Sequence, residues 1–312
     1  MFLQSSALAA ARVGFDRAFQ DGYNTVNAVD LWWQELATMR PSTDRSNLYH
    51  LLKLIPRLRQ WVGARRLHNL EMADYTLTNL KFEDGFQIPV EDFEDDKLGI
   101  WNDAIKGLGR AAALWPNDMI YNAIVAGGST VCYDGQYFFD TDHPLTVEGS
   151  ADTTQANLHT STSLTAANFV TVRQAMIGRL GDDGKPMHIT PNLLIVPTAL
   201  EITAKRIVNA ELAGYLANNS STAPDSNVLK GLAKVLVVPE LDANSSTTWY
   251  MADTTKGVKP LVFQQRRAPN RIDVLNRPTD PNVFDSSVIK VGCDGRGNAG
   301  YSLWHLMDKC TA

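Results

Sequence analysis

Trp101, Ile105, Leu108, Ala112 and Trp115 recur at intervals of four, three, four and three residues, which lines five apolar side chains along one face of an α-helix. The spacing predicts a helix from about Glu91 to Leu114, with the acids at its start where the helix dipole favours negative charge. Roughly 24 residues at about 1.5 Å each make a rod of about 36 Å, long enough to be the backbone of a domain. Pro116 is expected to end or kink it, with a shorter helix continuing to Ala126 before Gly127 and Gly128 stop it.

The segments around that helix read differently. Residues 6–20 suggest a short amphipathic helix marked by Val13, Phe15 and Phe19, and the irregular stretch that follows carries Trp32 and Trp33. With little periodicity of its own, this N-terminal part reads as an arm that must lie on something else. From Leu70 to Pro89, Tyr75, Leu77, Leu80, Phe82, Phe86 and Ile88 fall largely at even spacing, predicting two strands in a long hairpin. A Thr/Ser/Ala-rich loop over 146–165 leads to a compact α+β unit from about Thr165 to Asp253. There a helix bears Phe169, Val172, Met176 and Leu180, and strand Leu193–Val196 precedes a helix with a capping box from Thr198 to Glu201 and a stripe of Leu200, Ala204 and Ile207. Strands Val235–Val238 and Trp249–Met251 complete the unit. The tail predicts strands at Leu261–Phe263, Ile272–Leu275, Val288–Val291 and Tyr301–Leu306.

Charge is arranged in blocks. Arg40, Arg45, Lys53, Arg57, Arg59, Arg65 and Arg66 face a single acid, Asp44, whereas Glu83, Asp84, Glu91, Asp92, Glu94, Asp95 and Asp96 occur with no Lys or Arg among them. Two solvated faces would account for this. The sharper reading is that Arg57, Arg59, Arg65 and Arg66 meet Glu91, Asp92, Glu94, Asp95 and Asp96 across neighbouring copies, where sign patterns set register and suppress wrong pairings. The net charge of -5 gives no global basic field, which argues against a dedicated DNA-binding protein. Cys132, Cys293 and Cys310 are odd in number and far apart, so neither a zinc spacing nor a disulfide framework is expected. No basic region precedes the first apolar stretch, so no signal peptide is expected, and no apolar run approaches the ~20 residues of a membrane span.

Chemistry-bearing motifs are sparse. CYDGQYFFDTDHP gathers Cys132, Asp134, Asp140, Asp142 and His143, and Asp140, Asp142 and His143 could serve a metal-dependent hydrolase. The competing reading is a glycine-bearing turn whose acids cap backbone N–H groups. GDDGKP at 181–186 lacks the first Gly and the Ser/Thr of a phosphate loop and reads as a tight polar turn. The six histidines are scattered, so no catalytic, cofactor or metal residue is assigned.

WVGARR (Trp61–Arg66), EDFEDDKLG (Glu91–Gly99), CYDGQYFFDTDHP (Cys132–Pro144) and GRGNAGYSLWHLM (Gly295–Met307) together resemble the Mu-like phage major head subunit family, over nearly the whole chain after its first 40 residues. The resemblance implies the HK97-type capsid fold and a shell-forming, non-enzymatic role. On that pattern residues 1–60 are the N-terminal arm and lead-in, 61–90 the extended E-loop hairpin and 91–164 the peripheral domain with its spine helix. Residues 165–253 are then the axial domain, and 254–312 are strands returning to the peripheral domain. It also implies hexamers and pentamers of this chain, a portal, an enclosed DNA genome with at most weak contact, and room for a decoration protein. The short stretch ahead of the hairpin makes a separate scaffold protein the expectation. A tail tube or decoration protein, usually shorter and mostly β, is the alternative within phage structural proteins.

Overall fold

The computed structural model describes residues 5–52, 72–96, 99–145, 153–181, 184–212 and 226–312. Its first half runs α1 (Ser5–Asn24), α2 (Trp33–Leu36), β1 (Ala37–Pro41), β2 (Ser46–Leu52), β3 (Met72–Thr78), β4 (Leu80–Pro89), α3 (Val90–Glu94) and α4 (Ile100–Ala126). Then come β5 (His143–Leu145), β6 (Thr153–Gln155), β7 (Leu158–His159), α5 (Ala166–Ile177), β8 (Leu193–Val196), α6 (Glu201–Asn209), β9 (Lys234–Val237) and β10 (Trp249–Ala252). Strands β11 (Leu261–Arg267) and β12 (Ile272–Leu275), helix α7 (Pro281–Ser286), and strands β13 (Val288–Tyr301) and β14 (Met307–Cys310) close the chain.

Helix α4 is the predicted rod, displaced along the sequence. Ile105, Leu108, Ala112 and Trp115 are buried as expected, and Met119, Ile120, Ala123 and Ile124 prolong the stripe. The helix begins nine residues later than predicted because Gly99 adopts φ +74°, a left-handed turn that suits glycine. That turn brings the Asp96 carboxylate onto the N–H groups of Gly99, Ile100 and Trp101 at 2.8, 3.1 and 3.1 Å. The acids before it form the separate short helix α3. Pro116 does not end the helix, which runs 27 residues through it. Its neighbours Trp115 and Asn117 are buried, and Asn117 ties the incoming chain down by accepting from Trp33 N–H (3.3 Å) and donating to the Asp30 carbonyl (2.7 Å).

Helix α1 lies along α4, so the predicted arm packs on its own chain. Phe15 and Phe19 are buried there, while Val13 faces solvent. The two backbones approach so closely that a Cβ on Gly22 would strike the Lys106 carbonyl, and one on Gly109 the Phe19 carbonyl.

The strands over 70–89 exist but do not pair with each other. β3 pairs antiparallel with β2, Tyr49 opposite Tyr75, while β4 pairs antiparallel with β13 along Leu80–Pro89. Asn79, buried between them, donates to Ser42 Oγ and the Asp44 carbonyl, both at 2.8 Å, and so marks where the chain changes sheets. The hairpin is therefore β2–β3, and the 53–71 segment between its arms lies outside the described residues.

Two five-stranded sheets carry most of the remaining core. The first has the order β1-β11-β13-β12, with β4 on the other side of β13. Glycines in β13 leave its surface bare: a Cβ on Gly297 would meet the Trp115 ring, and one on Gly300 the Tyr75 ring. The GRGNAGY run is thus a strand cut back so that two aromatic rings can lie on it.

The second sheet has the order β7-β14-β10-β8-β9. Strands β8 and β10 are apolar throughout because both faces are covered. Leu194, Val196, Trp249 and Met251 face the core under α5 and α6, while Leu193, Ile195, Tyr250 and Ala252 join the core around α4. The expected end of this unit at Asp253 is therefore incomplete: β14, which begins 54 residues further along at Met307, pairs with β10. The predicted strand Tyr301–Leu306 is instead the end of β13 and a 3-10 turn at Trp304–Leu306. Thr165 caps α5 through Asn168 N–H at 3.2 Å. The expected capping box does not form, since Thr198–Leu200 is a 3-10 turn and the Thr198 hydroxyl bonds to Asp242.

Candidate functional site

The residues predicted to meet neighbouring copies divide into two sets. Arg57, Arg59, Arg65 and Arg66 lie outside the described residues. Glu91, Asp92, Glu94 and Asp95 are exposed on α3 and the turn after it. Val90 and Phe93, three residues apart, turn the other way onto the core of α1 and α4; Phe93 meets Phe15 edge-on at 5.4 Å. Among the described residues no Lys or Arg pairs with these four acids. Asp96 belongs to a different class, because its carboxylate is the cap of α4. Glu83 and Asp84 line a cavity of about 680 Å³ with Lys81, Arg267, Asp273 and Asp294, where Arg267 pairs with Asp294, so their basic company comes from their own chain.

The CYDGQYFFDTDHP block folds into a hydrogen-bonded polar cluster. Cys132, Asp134 and His143 bring thiol, carboxylate and imidazole within 4.8 Å of one another. Hydrogen bonds account for the closeness: the Cys132 thiol donates to Asp134 Oδ1 (2.9 Å), and His143 Nδ1 lies 2.7 Å from Asp134 Oδ2. Burial, then the bond to Asp134, pushes the Cys132 thiol far up, which keeps it a donor. Burial also raises Asp134, but the bonds from His143 and Cys132, the charge of His143 and the Gln136 N–H outweigh it, so its carboxyl sits below the usual range.

Asp140 and Asp142 do not converge on His143. The Asp140 carboxylate accepts from Thr141 N–H at 2.7 Å, and exposed Asp142 is raised chiefly by its hydrogen bond to Asp140. His143 is fully buried with both nitrogens engaged, so this trio offers no shared open coordination position. Phe138 and Phe139 of the same block enter the core, where Phe138 stacks on Tyr301 at 4.5 Å. Among the described residues of 181–186, Gly181 N–H donates to the Lys185 carbonyl at 2.9 Å, the contact expected of a tight turn.

Residues outside the block complete the knot. Asn157, fully buried, donates to the Phe138 and Met307 carbonyls at 2.7 and 3.1 Å, and its Oδ1 lies 3.1 Å from His143 Nε2. The Trp304 indole stacks with the His143 and His305 rings at 3.8 and 3.7 Å. Burial, then the charges of Arg179 and His143, holds His305 well below the usual histidine range. Arg179 lies 5.2 Å from the Trp304 ring and grips Asp308 with two bonds of 2.7 and 3.0 Å, while also donating to the His305 and Ala156 carbonyls. His159 Nε2 is 2.8 Å from the same carboxylate. The one local hint was an arginine just beyond the apolar stripe of α5; its partner lies 129 residues away.

This arrangement binds backbone: its polar atoms point at one another across 132–143, 156–159, Arg179 and 304–308. Comparison with known proteins gives it a context. The Mu-like prophage FluMu major head subunit of Haemophilus influenzae is 28% identical over 294 residues, covering 94% of this chain and 70% of the relative. The major capsid protein of Escherichia phage Mu is 26% identical over 306 residues, covering 98% of this chain and 74% of that one. Among solved structures, a chain of the procapsid of bacteriophage JBD30 superposes with a TM-score of 0.60 at 25% identity, covering 99% of this chain and 76% of that chain. The fold is the HK97-type fold of phage capsids, a mixture of helix and sheet. The family described as Mu-like prophage major head subunit gpT matches residues 8–163, 155–241 and 240–311, and the chain belongs to it.

Proposed function

We propose that this chain is the shell subunit of a tailed-phage head, assembling into hexamers and pentamers of an icosahedral capsid that encloses double-stranded DNA. The observation that carries the reading is the superposition of almost the whole chain on a procapsid subunit. The physical design agrees with it. A long helix and two sheets sharing their cores give a firm body, while the acidic face of α3 is a surface that the other described residues leave unfilled.

On this reading β2–β3 with the segment between them is the E-loop, α4 the spine, and 165–253 the axial domain with β7 and β14 added to its sheet. Helix α1 is the part of the arm that docks in cis. Scaffold, portal and decoration proteins are the expected partners, with DNA enclosed at most through weak contacts. Subunits would be made in the host cytoplasm and end in the virion. The purified chain, with its scaffold supplied, is expected to give rings, shells or tubes by negative-stain microscopy, and a monodisperse monomer at high concentration would overturn the reading.

The charge pairing between copies is tested separately. Arg65→Glu with Arg66→Glu is expected to lower shell yield while leaving the monomer folded. Reversing Glu91, Asp92, Glu94 and Asp95 in the same chain should restore part of it. Normal shells from the arginine variants would remove the pairing.

A further inference from the structure

Among the described residues, Cys132, Asp134 and His143 are the one group whose thiol, carboxylate and imidazole offer ligand atoms all within 4.8 Å of one another. Sulfur, oxygen and nitrogen in one set are the donors that a borderline-soft divalent ion such as zinc takes. The carboxylate stands between the other two, with Oδ1 at 2.9 Å from Cys132 Sγ and Oδ2 at 2.7 Å from His143 Nδ1. The hydrogen bonds that gather these side chains are the ones an ion among them would replace.

We propose that Cys132, Asp134 and His143 form a structural site for one zinc-class divalent cation, which ties the start of the 132–143 loop to its end. Charge favours the assignment. A thiolate and a carboxylate bring a divalent ion to zero net charge, and the imidazole adds a neutral ligand, which is the condition for holding an ion away from water. Ligation through Nδ1 uses the ring's lone pair and leaves its N–H on Nε2, 3.1 Å from Asn157 Oδ1. That outer hydrogen bond is the one metal-bound histidines make. Asn157 is fixed to accept it, because its amide nitrogen is committed to the Phe138 and Met307 carbonyls. The Trp304 indole, stacked on the imidazole at 3.8 Å and 7°, sets the plane of the ring. Asp134 Oδ1 is steadied in turn by Gln136 N–H at 3.1 Å.

Zinc lies about 2.3 Å from sulfur and about 2.0–2.2 Å from nitrogen or oxygen, so its ligands stand roughly 3.3–3.6 Å apart. The two hydrogen-bonded contacts therefore open and the widest separation closes, each by about 1 Å. Gly135 is exposed and has no atom within 4 Å of where a Cβ would sit, which leaves the loop room for these shifts. Because one Asp134 oxygen faces each partner, the carboxylate is placed to supply the third and fourth ligands. On binding, the Cys132 S–H bond breaks, a sulfur–metal bond forms and the proton leaves for solvent. Any proton on Nδ1 exchanges through solvent to Nε2, so the ring keeps one, and no electron changes hands. Burial and Asp134 hold the thiol proton firmly, so without the ion the same atoms stay together as a hydrogen-bonded cluster.

The test uses the full untagged chain, unassembled and stripped with a chelator, so that it does not depend on shell formation. Titration with Co²⁺ is expected to load one ion per chain, with a thiolate-to-cobalt charge-transfer band that one equivalent of Zn²⁺ bleaches. Cys132→Ser should lose that band and bind zinc about 100-fold more weakly, at the upper end of what losing an outer-shell partner costs. Changing Cys293 and Cys310 to Ala should leave both the band and the affinity in place. Asp134→Asn, nearer the surface, is the second variant should Cys132→Ser fail to fold, and it should weaken zinc binding by a similar factor; circular dichroism checks the fold of each. A wild-type chain that retains no cobalt, a cobalt spectrum without the thiolate band, or unchanged zinc affinity in a folded variant would each overturn the proposal.

Discussion

Two regions of this subunit are rich in charge and treat it in opposite ways. In the knot around Trp304, Arg179, Asp308 and His143 are almost wholly removed from water, and each has named partners at hydrogen-bond distance. On α3, Glu91, Asp92, Glu94 and Asp95 stand in solvent with no cation of the described chain beside them. A buried charge is costly unless paired, so each member of the knot is specified by the others. An exposed charge costs the monomer little and stabilises it little, ~0–1 kcal/mol even when paired. The first region determines how the chain closes on itself. The second is open to influence what the chain meets, and in a closed shell a small term recurs at every subunit.

The contrast is most severely tested by breaking the knot. Asp308→Ala strands the Arg179 guanidinium in the core and is expected to cost about 3–5 kcal/mol, the usual range for removing one partner of a buried pair. Urea unfolding of the purified subunit measures it, and a loss no larger than that of a surface substitution would mean that water or a local shift rescues the arginine. The intermediate case is Asp96, which belongs to the acidic run by sequence and to the fold by geometry. Asp96→Ala removes the cap of α4 and should cost about 1 kcal/mol, read from the same denaturation curves, whereas the reversal Asp95→Lys next door should not. At the small end, changing Glu91, Asp92, Glu94 and Asp95 to Lys together should leave the unfolding free energy within about 0.5 kcal/mol, typical of surface substitutions away from packed features. The same variant should lower shell yield. Unfolding of that variant, or normal assembly by it, would erase the distinction between the two regions.

How much of this was legible depended on the distance over which each interaction acts. The stripe from Ile105 to Trp115 announced a buried helix face because its period is a property of neighbouring residues. The all-apolar runs at Leu193–Val196 and Trp249–Met251 likewise announced strands. The helix start was misplaced because acids favoured by the helix dipole do not mark where the helix begins, which the left-handed turn at Gly99 decides. Strand pairing was misjudged over 70–89, where even spacing shows that β3 and β4 are extended but not which strands lie beside them.

In the candidate site, the block from Cys132 to His143 was visible as an unusual concentration of polar groups. Its role was not, because the atoms that define it come from Asn157, Arg179, Trp304 and Asp308, between 14 and 165 residues beyond His143 along the chain. The GRGNAGY run was recognisable as a motif, and only the rings of Trp115 and Tyr75 lying on it explain why side chains are missing there.

The sequence by itself determined the mixed α+β character, the long helix, the apolar strands and the separation of positive from negative blocks. Each of these rests on periodicity or composition within a short window. Tertiary structure alone decided that the N-terminal helix docks on α4, that the hairpin is β2–β3, and that β14 completes a sheet begun 150 residues earlier. It also decided that His143 faces two acceptors. Backbone hydrogen bonds are the same for every residue type, and a buried charge finds its partner in space, so neither leaves a local trace in the chain.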